Sequence, residues 1–327
     1  MTQGSQDQPK LRVTRRLPEP VEKRITSNFN ALLNADDVIL KAGELAGAAE
    51  GCDGLLITPT EKMTREAVES LPGTIKIIST FSVGYDHIDV DAASGRGIAV
   101  TNTPDVLTDA TADIALLLLL GAARGASWGE KIVRTDTWGA WSPTHPLGFE
   151  VTGKRLGVLG MGRIGQAVAK RARAFEMTVH YHNRSRLPAD LEHGAQYHDT
   201  VDSLLEVCDF LSINCASTPE TRGLLNTDAI ARMPDGAIVV NTARGDIVDD
   251  DALIAALQSG KLAAAGLDVF RGEPDIDPRY RTLENTFLLP HLGSATIETR
   301  IGMGMRAVDN LEAFFKGETP GDLLNPR

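Results

Sequence analysis

The chain has 327 residues, and its 33 lysines and arginines against 44 aspartates and glutamates give a formal net charge of −11. A chain of this length favours about two domains, each large enough to bury its own core. The hydrophobic fraction of 42% and the charged fraction of 24% are those of an ordinary globular protein, which argues against wholesale disorder. Because an acidic chain offers no broad basic surface, we expect neither a nucleic-acid nor a membrane partner.

The cysteines and the apolar segments predict a reduced, cytoplasmic protein. Cys52, Cys208 and Cys215 form no CxxC pair and no metal-ligand spacing, so we expect neither a disulfide framework nor a metal site. The N-terminal stretch MTQGSQDQPK lacks the apolar core of a secretory signal. The longest apolar stretch, 114–123, is too short to span a bilayer and is predicted to be a buried helix.

In chain order, short apolar runs first alternate with helical patterns such as EKMTREAVESL. The predicted strands are LRVTRR (11–16), DVILKA (37–42), GLLITP (54–59), IKIISTF (75–81) and GIAVTNT (97–103). This alternation is typical of a parallel sheet with helices on both faces. A long helical segment, 106–125, follows, and then a loop with two tryptophans, 136–151. A loop of that length with large aromatic side chains is a candidate functional or interface loop.

A second series of strand-like runs begins at residue 156, and a final helix is predicted over 299–317. The strand-like runs are LGVLG (156–160), MTVHYH (177–182), FLSINC (210–215), AIVVNT (237–242), AAGLDVF (264–270) and FLLP (287–290). We therefore predict an α/β fold with two Rossmann-like or flavodoxin-like domains built on parallel sheets. The dinucleotide-binding domain, 104–288, is inserted in the substrate-binding domain, 1–103 and 289–327. Two chain crossings would make a hinge over a cleft.

The strongest local motif is a glycine-rich turn between an apolar strand and a helical pattern. Gly160, Gly162 and Gly165 form GxGxxG, whose glycines permit a tight turn, close approach to a pyrophosphate and close packing of the helix. The helix beginning near Arg163 and Ile164 adds N–H groups and a positive dipole end. This context predicts dinucleotide binding, and a glycine-rich turn without a ligand is the alternative.

The segment after the next strand indicates which dinucleotide binds. NAD enzymes usually place an Asp or Glu there, on the ribose 2′-hydroxyl. This chain instead has Asn183, Arg184, Ser185 and Arg186, and guanidinium groups pair with a 2′-phosphate through charge-assisted hydrogen bonds. We therefore predict NADPH (NADP+) as the cofactor, with NADH less favoured. A solvated basic loop is the alternative.

Three polar side chains follow strand-like runs further along the chain. Arg244, Glu273 and His291 are expected near the carboxyl edge of the sheet, where ligands of open α/β sheets bind. Arg244 can hold a carboxylate and polarise the adjacent carbonyl. His291 can protonate the carbonyl oxygen as a hydride reaches the carbon, and Glu273 can orient the imidazole. The trio suits reduction of a 2-oxo acid, although each residue taken singly is also an ordinary surface or structural residue.

These residues lie in motifs that resemble the D-isomer-specific 2-hydroxyacid dehydrogenase family, and within it the glyoxylate/hydroxypyruvate reductase group. The matching motifs are VGYDHID (83–89), NTPDVLTDATAD (102–113), GxGRIG (160–165), NTARGDIVDDDAL (241–253), GLDVFRGEP (266–274) and PHLGSAT (290–296). The resemblance covers about residues 55–296. It implies that Arg244, Glu273 and His291 are catalytic and that glyoxylate and hydroxypyruvate are the substrates.

The resemblance also implies further contacts. The backbone amides of Val83 and Gly84 would hold the substrate carboxylate, and cofactor contacts would come from Cys215, Thr221, Ala243, Asp268, His291 and Gly293. Family members are usually homodimers built around the long helix near Asp113. Trp141 would reach the partner's active site and bind substrate, and an indole packed against its own loop is the alternative.

Other classes remain open as alternatives. Reduction of larger 2-ketoaldonates, such as 2-ketogluconate, belongs to the same reductase group. Formate dehydrogenases of this fold carry Gln where this chain has Glu273, phosphoglycerate dehydrogenases often add a C-terminal regulatory domain and prefer NAD, and D-lactate dehydrogenases favour an acid after the second strand. Co-repressors of this fold bind a dinucleotide as a regulatory ligand. Turnover of glyoxylate with NADPH would separate an enzyme from such a binding module.

Overall fold

The computed structural model describes residues 8–41, 43–145 and 147–326. The contacts of the chain divide it into two compact units, Met1–Leu107 with Thr296–Arg327, and Thr108–Ala295. The domain boundaries predicted from the sequence lie a few residues earlier than these two divisions. The second unit is thus an insertion within the first.

The first unit is built on a five-stranded parallel sheet in the order β2-β1-β3-β4-β5, which is the flavodoxin-like order. The strands are β1 Lys10–Val13, β2 Asn30–Leu32, β3 Gly54–Ile57, β4 Ile77–Thr80 and β5 Ala99–Thr101. The helices between them are α1 Glu19–Asn28, α2 Leu45–Ala48, α3 Arg65–Glu69 and α4 Val90–Gly95. Every residue of β3 and β4 is buried, as expected for parallel strands covered on both faces.

The strand predicted in DVILKA is wrong, because β2 lies earlier, at Asn30–Leu32. Residues 35–36 form a turn, and residues 37–41 are an irregular segment in which Val38 and Ile39 are 59% and 58% exposed. The Asn34 side chain donates to the Val38 carbonyl at 2.7 Å and accepts from its N–H at 3.2 Å. Such local side-chain bonds take backbone groups that a strand ladder would otherwise use.

The second unit is built on a seven-stranded parallel sheet in the order β12-β11-β10-β9-β6-β7-β8. Its helices are α5 Thr108–Ala123, α6 Ala126–Arg134, α7 Arg163–Arg173, α8 Ala189–Glu192, α9 Val201–Leu205, α10 Thr227–Arg232 and α11 Asp250–Ser259. Its strands are β6 Arg155–Leu159, β7 Thr178–His182, β8 Gln196–Tyr197, β9 Phe210–Ile213, β10 Ala237–Asn241, β11 Leu262–Leu267 and β12 Thr286–Leu288. Counted within the unit, this is the Rossmann order 3-2-1-4-5-6 with one added strand. The order reverses between β6 and β9, and ligands bind at such switch points.

The two ends of the inserted unit meet within that unit. The Thr111 hydroxyl in α5 donates to the Gly293 carbonyl at 3.1 Å, although 182 residues separate them. After residue 295 the chain returns to the first unit as α12, Ile297–Phe315, which packs on α1 and β4. Met303, Ala307 and Leu311 form its buried face.

No single helix in the described ranges is long and apolar enough to cross a membrane. Only the bent pair α5 and α6, which meet at 70°, meets the length and composition requirement together. Within the same ranges, no group of three or more His, Cys, Asp or Glu side chains is arranged to hold a metal ion. The three cysteines are unbridged, and Cys52 and Cys208 are buried.

Candidate active site

The glycine-rich turn joins the end of β6 to the start of α7. Gly160 has φ of +94°, and a Cβ there would lie 2.5 Å from the backbone nitrogen of Cys215. A Cβ at Gly165 would lie 2.2 Å from the Gly160 carbonyl oxygen, so the helix packs directly on the turn. In contrast, a Cβ at Gly162 would meet nothing within 4 Å. This open space at the helix N-terminus fits a dinucleotide pyrophosphate.

The first turn of α7 presents backbone N–H groups to that space. Gly162 is the N-cap residue, and neither it nor the first helical turn carries an acidic side chain. Arg163 is exposed, whereas Ile164 is half-buried against the core of the unit. The N–H groups of a first helical turn have no partner within the helix and bind anions.

The loop after β7 is joined to the glycine-rich turn by one hydrogen bond. The Asn183 side-chain oxygen accepts from the Met161 N–H at 2.6 Å. Arg184, Ser185 and Arg186 are all exposed, but the two arginines differ in their surroundings. Arg186 pairs with a glutamate of α8, as detailed below. A hydrogen bond with a neighbouring threonine, and then the charge of Arg184, lower the pKa of Glu220 on the adjacent loop.

The loop after β9 carries Cys215 and Thr221. Burial raises the pKa of the Cys215 thiol to about 11, so the thiol is uncharged at neutral pH. The Thr221 hydroxyl accepts from the Thr218 N–H and donates to the Ala216 carbonyl, both at 2.8 Å. These bonds close a tight turn, and contact of both side chains with a cofactor stays a prediction.

Asn241 shapes the turn that carries Arg244. Asn241 is 1% exposed at the end of β10, and its side-chain oxygen accepts from the Ala243 N–H at 2.9 Å. Its amide nitrogen donates to the Arg244 carbonyl at 2.8 Å. The Arg244 guanidinium in turn donates to the Ala243 carbonyl at 2.7 Å. The sequence prediction missed Asn241, although a polar residue closing the apolar run AIVV was a usable signal.

A close backbone approach brings the Arg244 turn against the segment that carries Glu273. A Cβ at Gly245 would lie 1.9 Å from the Phe270 carbonyl carbon, so only glycine fits there. The Glu273 Oε1 atom accepts from the Phe270 N–H at 2.7 Å. Burial acts to raise the pKa of Glu273, but the hydrogen bonds from His291 and Phe270 and the charges of His291 and Arg244 lower it overall. The carboxylate is therefore ionised at neutral pH.

His291 and Glu273 form a hydrogen-bonded pair. The His291 Nδ1 atom donates to Glu273 Oε2 at 2.7 Å, because an ionised carboxylate can only accept. The pairing leaves Nε2 for another partner, and the His291 side chain is 48% exposed. His291 has φ of +57°, a left-handed conformation that is uncommon outside glycine and is often found at functional sites.

Asp268 holds the backbone that presents His291. Its carboxylate oxygens accept from the N–H groups of Leu292 at 2.6 Å and Gly293 at 2.7 Å, and its carbonyl accepts from the His291 N–H at 2.9 Å. Asp268 is 1% exposed, and burial raises the pKa of its carboxyl group. The residue thus fixes the loop that carries His291, and its contact with the nicotinamide, like those of Ala243 and Gly293, stays a prediction.

In the first unit, the loop after β4 carries Val83 and Gly84. The Asn102 amide donates to the Val83 carbonyl at 2.8 Å, and the Ser82 hydroxyl donates to the Gly84 carbonyl at 2.7 Å. Within the described ranges, no acceptor is bonded to the N–H of Val83 or Gly84. Successive N–H groups held in this way suit an anion such as a carboxylate. The sequence prediction named the two amides but missed Ser82 and Asn102, whose side chains hold the carbonyls of this loop.

The loop after α6 exposes large aromatic side chains. Trp141 is 83% exposed and Trp138 is 71% exposed. An indole this exposed is not packed against its own loop, which disfavours that alternative for Trp141. Val133, Leu147 and Phe149 are exposed as well.

Comparison with known proteins places this site in a family. Residues 116–293 match the model of the D-isomer specific 2-hydroxyacid dehydrogenase NAD binding domain. The chain is 47% identical over 310 residues to glycerate dehydrogenase of Hyphomicrobium methylovorum, covering 94% of this chain and 96% of that one. It is 44% identical over 322 residues to glyoxylate reductase of Thermococcus litoralis, covering 97% of each.

Solved structures agree with this placement. A D-isomer specific 2-hydroxyacid dehydrogenase from Polaromonas sp. has 48% identity and a TM-score of 0.92, over 97% of this chain and 99% of that one. An NADPH-dependent glyoxylate/hydroxypyruvate reductase from Sinorhizobium meliloti, solved with NADP and malonate, has 33% identity and a TM-score of 0.87, over 97% of each.

The chain belongs to the D-isomer specific 2-hydroxyacid dehydrogenase family. It is an NAD(P)-dependent enzyme of the glyoxylate reductase and glycerate dehydrogenase type, with a nicotinamide dinucleotide as cofactor. The predicted family and fold are therefore confirmed.

Proposed function

We propose that this enzyme reduces small 2-oxo acids with NADPH, converting glyoxylate to glycolate and hydroxypyruvate to D-glycerate. The observation that carries the proposal is the hydrogen-bonded pair of Glu273 and His291, with Arg244 close enough to lower the pKa of Glu273. The names of the glyoxylate reductase and glycerate dehydrogenase relatives support this substrate class.

Each of the three side chains has a separate task. A nicotinamide bound at this site would supply the hydride that the carbonyl carbon receives. His291 donates the balancing proton from Nε2 to the carbonyl oxygen, and Glu273 keeps the imidazole oriented and stabilises its cationic form. Arg244 holds the substrate carboxylate and draws charge from the carbonyl. The contact of the Val83 and Gly84 N–H groups with a substrate carboxylate, which the family resemblance implies, stays a prediction.

The preference for NADPH rests on the loop after β7. No carboxylate occupies residues 183–186, where an acid would bind the ribose 2′-hydroxyl and repel a 2′-phosphate. Two exposed arginines stand there instead, and the similar Sinorhizobium meliloti enzyme is NADPH-dependent.

A steady-state panel of 2-oxo acids, measured with each cofactor, tests the function. The rate is measured as the loss of nicotinamide absorbance. We expect the highest kcat/KM for glyoxylate or hydroxypyruvate with NADPH as the cofactor. A higher kcat/KM for 2-ketogluconate would show that the enzyme is a 2-ketoaldonate reductase and would contradict the proposed substrates. Equal kcat/KM with NADPH and NADH would contradict the cofactor preference, and no turnover of any 2-oxo acid would contradict the function.

Replacing Arg184 by alanine should lower kcat/KM for NADPH and leave that for NADH unchanged. Loss of a charge-assisted hydrogen bond to the 2′-phosphate costs roughly 1.5–3 kcal/mol, or about 10- to 150-fold in kcat/KM. Lys154→Ala is a matched control, since it removes an exposed cation at the opposite end of β6. An equal loss of kcat/KM with both cofactors would show that Arg184 does not bind the 2′-phosphate.

A homodimer completes the proposal. The exposed aromatic loop around Trp138 and Trp141 suits burial against a second copy, and Trp141 would contribute to the partner's substrate site. A single-subunit mass in light scattering would contradict this assembly. An unchanged substrate ranking in Trp141→Ala would contradict the role of the indole.

A further inference from the structure

A buried glutamate on α8 holds one of the two arginines of the loop after β7. The Glu192 Oε1 atom accepts from the Arg186 Nε atom at 2.7 Å, and Oε2 accepts from Arg186 Nη2 at 3.1 Å. Oε1 also accepts from the Tyr181 hydroxyl at 2.7 Å. The Glu192 side chain is only 9% exposed, whereas that of Arg186 is 63% exposed. Hydrogen bonds from Arg186 and then Tyr181 lower the pKa of Glu192 to about 2, so it is ionised at neutral pH.

The same contacts fasten the loop at its far end. The Tyr181 hydroxyl, which Glu192 holds, accepts from the Leu187 N–H at 3.1 Å. Leu187 directly follows Arg186, so the backbone on the C-terminal side of the arginine is held in place. The Arg173 guanidinium adds a hydrogen bond to the Glu192 carbonyl at 3.0 Å, which fixes the end of α8.

The near end of the loop is fastened to the glycine-rich turn. The Arg186 guanidinium lies over the Tyr197 ring, 5.7 Å from its centroid. The Tyr197 hydroxyl donates to the Asn183 carbonyl at 3.4 Å, and the Asn183 side chain accepts from the Met161 N–H. A continuous set of contacts therefore runs from α8 through Arg186 to the turn that faces the pyrophosphate site.

We propose that Glu192 is a positioning residue for cofactor selectivity, fixing the Arg186 guanidinium and its loop for contact with the 2′-phosphate; this inference rests on the proposed use of NADPH. The pairing uses Nε and Nη2, and Arg186 Nη1 makes no hydrogen bond to the residues that the structure describes. A guanidinium already fixed in its bound geometry loses less conformational freedom on binding a phosphate. Glu192 itself does not touch the cofactor.

The test is the Glu192→Gln enzyme. Glutamine keeps the size of the side chain and an acceptor for Tyr181 but loses the charge that holds Arg186. We expect KM for NADPH to rise about tenfold, the scale of one charge-assisted hydrogen bond, with kcat at saturating NADPH and kcat/KM for NADH unchanged. Asp190→Asn is the matched control, because it removes an exposed carboxylate from the same helix and should change neither value.

A binding measurement without turnover gives a second readout. Calorimetry with 2′,5′-ADP and with 5′-AMP should show weaker binding of 2′,5′-ADP to Glu192→Gln and unchanged binding of 5′-AMP. The Arg186→Leu enzyme should lose the same selectivity, and adding Glu192→Gln to it should change nothing more, since Glu192 acts through Arg186.

The outcomes separate this inference from the proposed function. Equal losses with 2′,5′-ADP and 5′-AMP, unchanged selectivity, or tighter NADPH binding would overturn the positioning role while leaving the reductase intact. An additive effect in the double variant would overturn it too. If the unmutated enzyme does not prefer NADPH, the proposed cofactor fails first and the inference fails with it. If Glu192→Gln does not fold, Arg186→Leu still tests the proposal. Unchanged selectivity between 2′,5′-ADP and 5′-AMP in that variant would overturn it.

Discussion

Replacing His291 by alanine lowers kcat for glyoxylate reduction by about 10²- to 10⁴-fold, the range that a positioned acid–base group supplies. The expectation follows from the paired ring, in which Nδ1 is held by Glu273 and Nε2 is left to donate the proton. Stopped-flow measurement at saturating NADPH and substrate gives the rate. The Kd of NADP+ should change far less than kcat, because the loop backbone is held by Asp268 and not by the imidazole. A loss of less than about tenfold would place the proton donor elsewhere.

The pH profile gives the same assignment a second test. The pKa of Glu273 is lowered in the folded enzyme, so its carboxylate stays ionised, and keeps its bond to the imidazole, as the pH falls through the range of ordinary glutamates. The stability that this bond contributes is present at neutral pH and is lost only as the pH falls through the lowered value. We expect kcat for reduction to fall only at a pH below the ordinary glutamate range, where Glu273 takes up a proton and no longer holds the imidazole as an anion.

The Glu273→Gln enzyme is the matching variant for that profile. Glutamine cannot take up a proton in the acid range, so the acid fall in kcat that is assigned to Glu273 should be absent from this variant. An acid fall in kcat at the same pH in Glu273→Gln would contradict that assignment.

Replacing Arg244 by alanine damages both binding and turnover. Loss of the guanidinium removes charge stabilisation at the developing alkoxide, which costs about 10²- to 10³-fold in kcat. It also removes a hydrogen-bonded partner of the substrate carboxylate, which raises KM about tenfold or more. Steady-state kinetics with hydroxypyruvate separate the two effects.

Arg244→Lys and Arg271→Ala are the comparisons for this variant. Lysine keeps the charge but not the planar pair of donors, so it should restore part of the binding and little of kcat. Arg271 is an arginine two residues before Glu273 in the sequence. Its guanidinium donates a hydrogen bond to the Val248 carbonyl at 3.4 Å. If Arg271→Ala caused the larger loss, the substrate-binding role would belong to that residue instead.

Much of the fold was predictable, because buried parallel strands are continuous apolar runs. The runs that became β3, β9 and β10 were recognisable in this way, since every one of their residues is buried. Exposed or very short strands carry no such signal. The two-residue strand β8 was missed, and DVILKA was taken for a strand although Val38 and Ile39 face solvent.

The residues that we propose to react could be selected from the sequence, whereas most of the residues that position them could not. Arg244, Glu273 and His291 could be selected because their chemistry suits one reaction and each follows a strand. The support from Glu192 depends on how α8 lies beside β7, and no local pattern encodes that placement. The two arginines at 184 and 186 look equivalent in the sequence, but only the structure shows that one of them is paired.

The hydrogen bond between Thr111 and Gly293 suggests how one domain can be inserted into the sequence of another. It holds the beginning and the end of the inserted unit side by side, so the two termini of that unit are adjacent. A module with adjacent termini can enter or leave a surface loop without stretching the backbone that receives it.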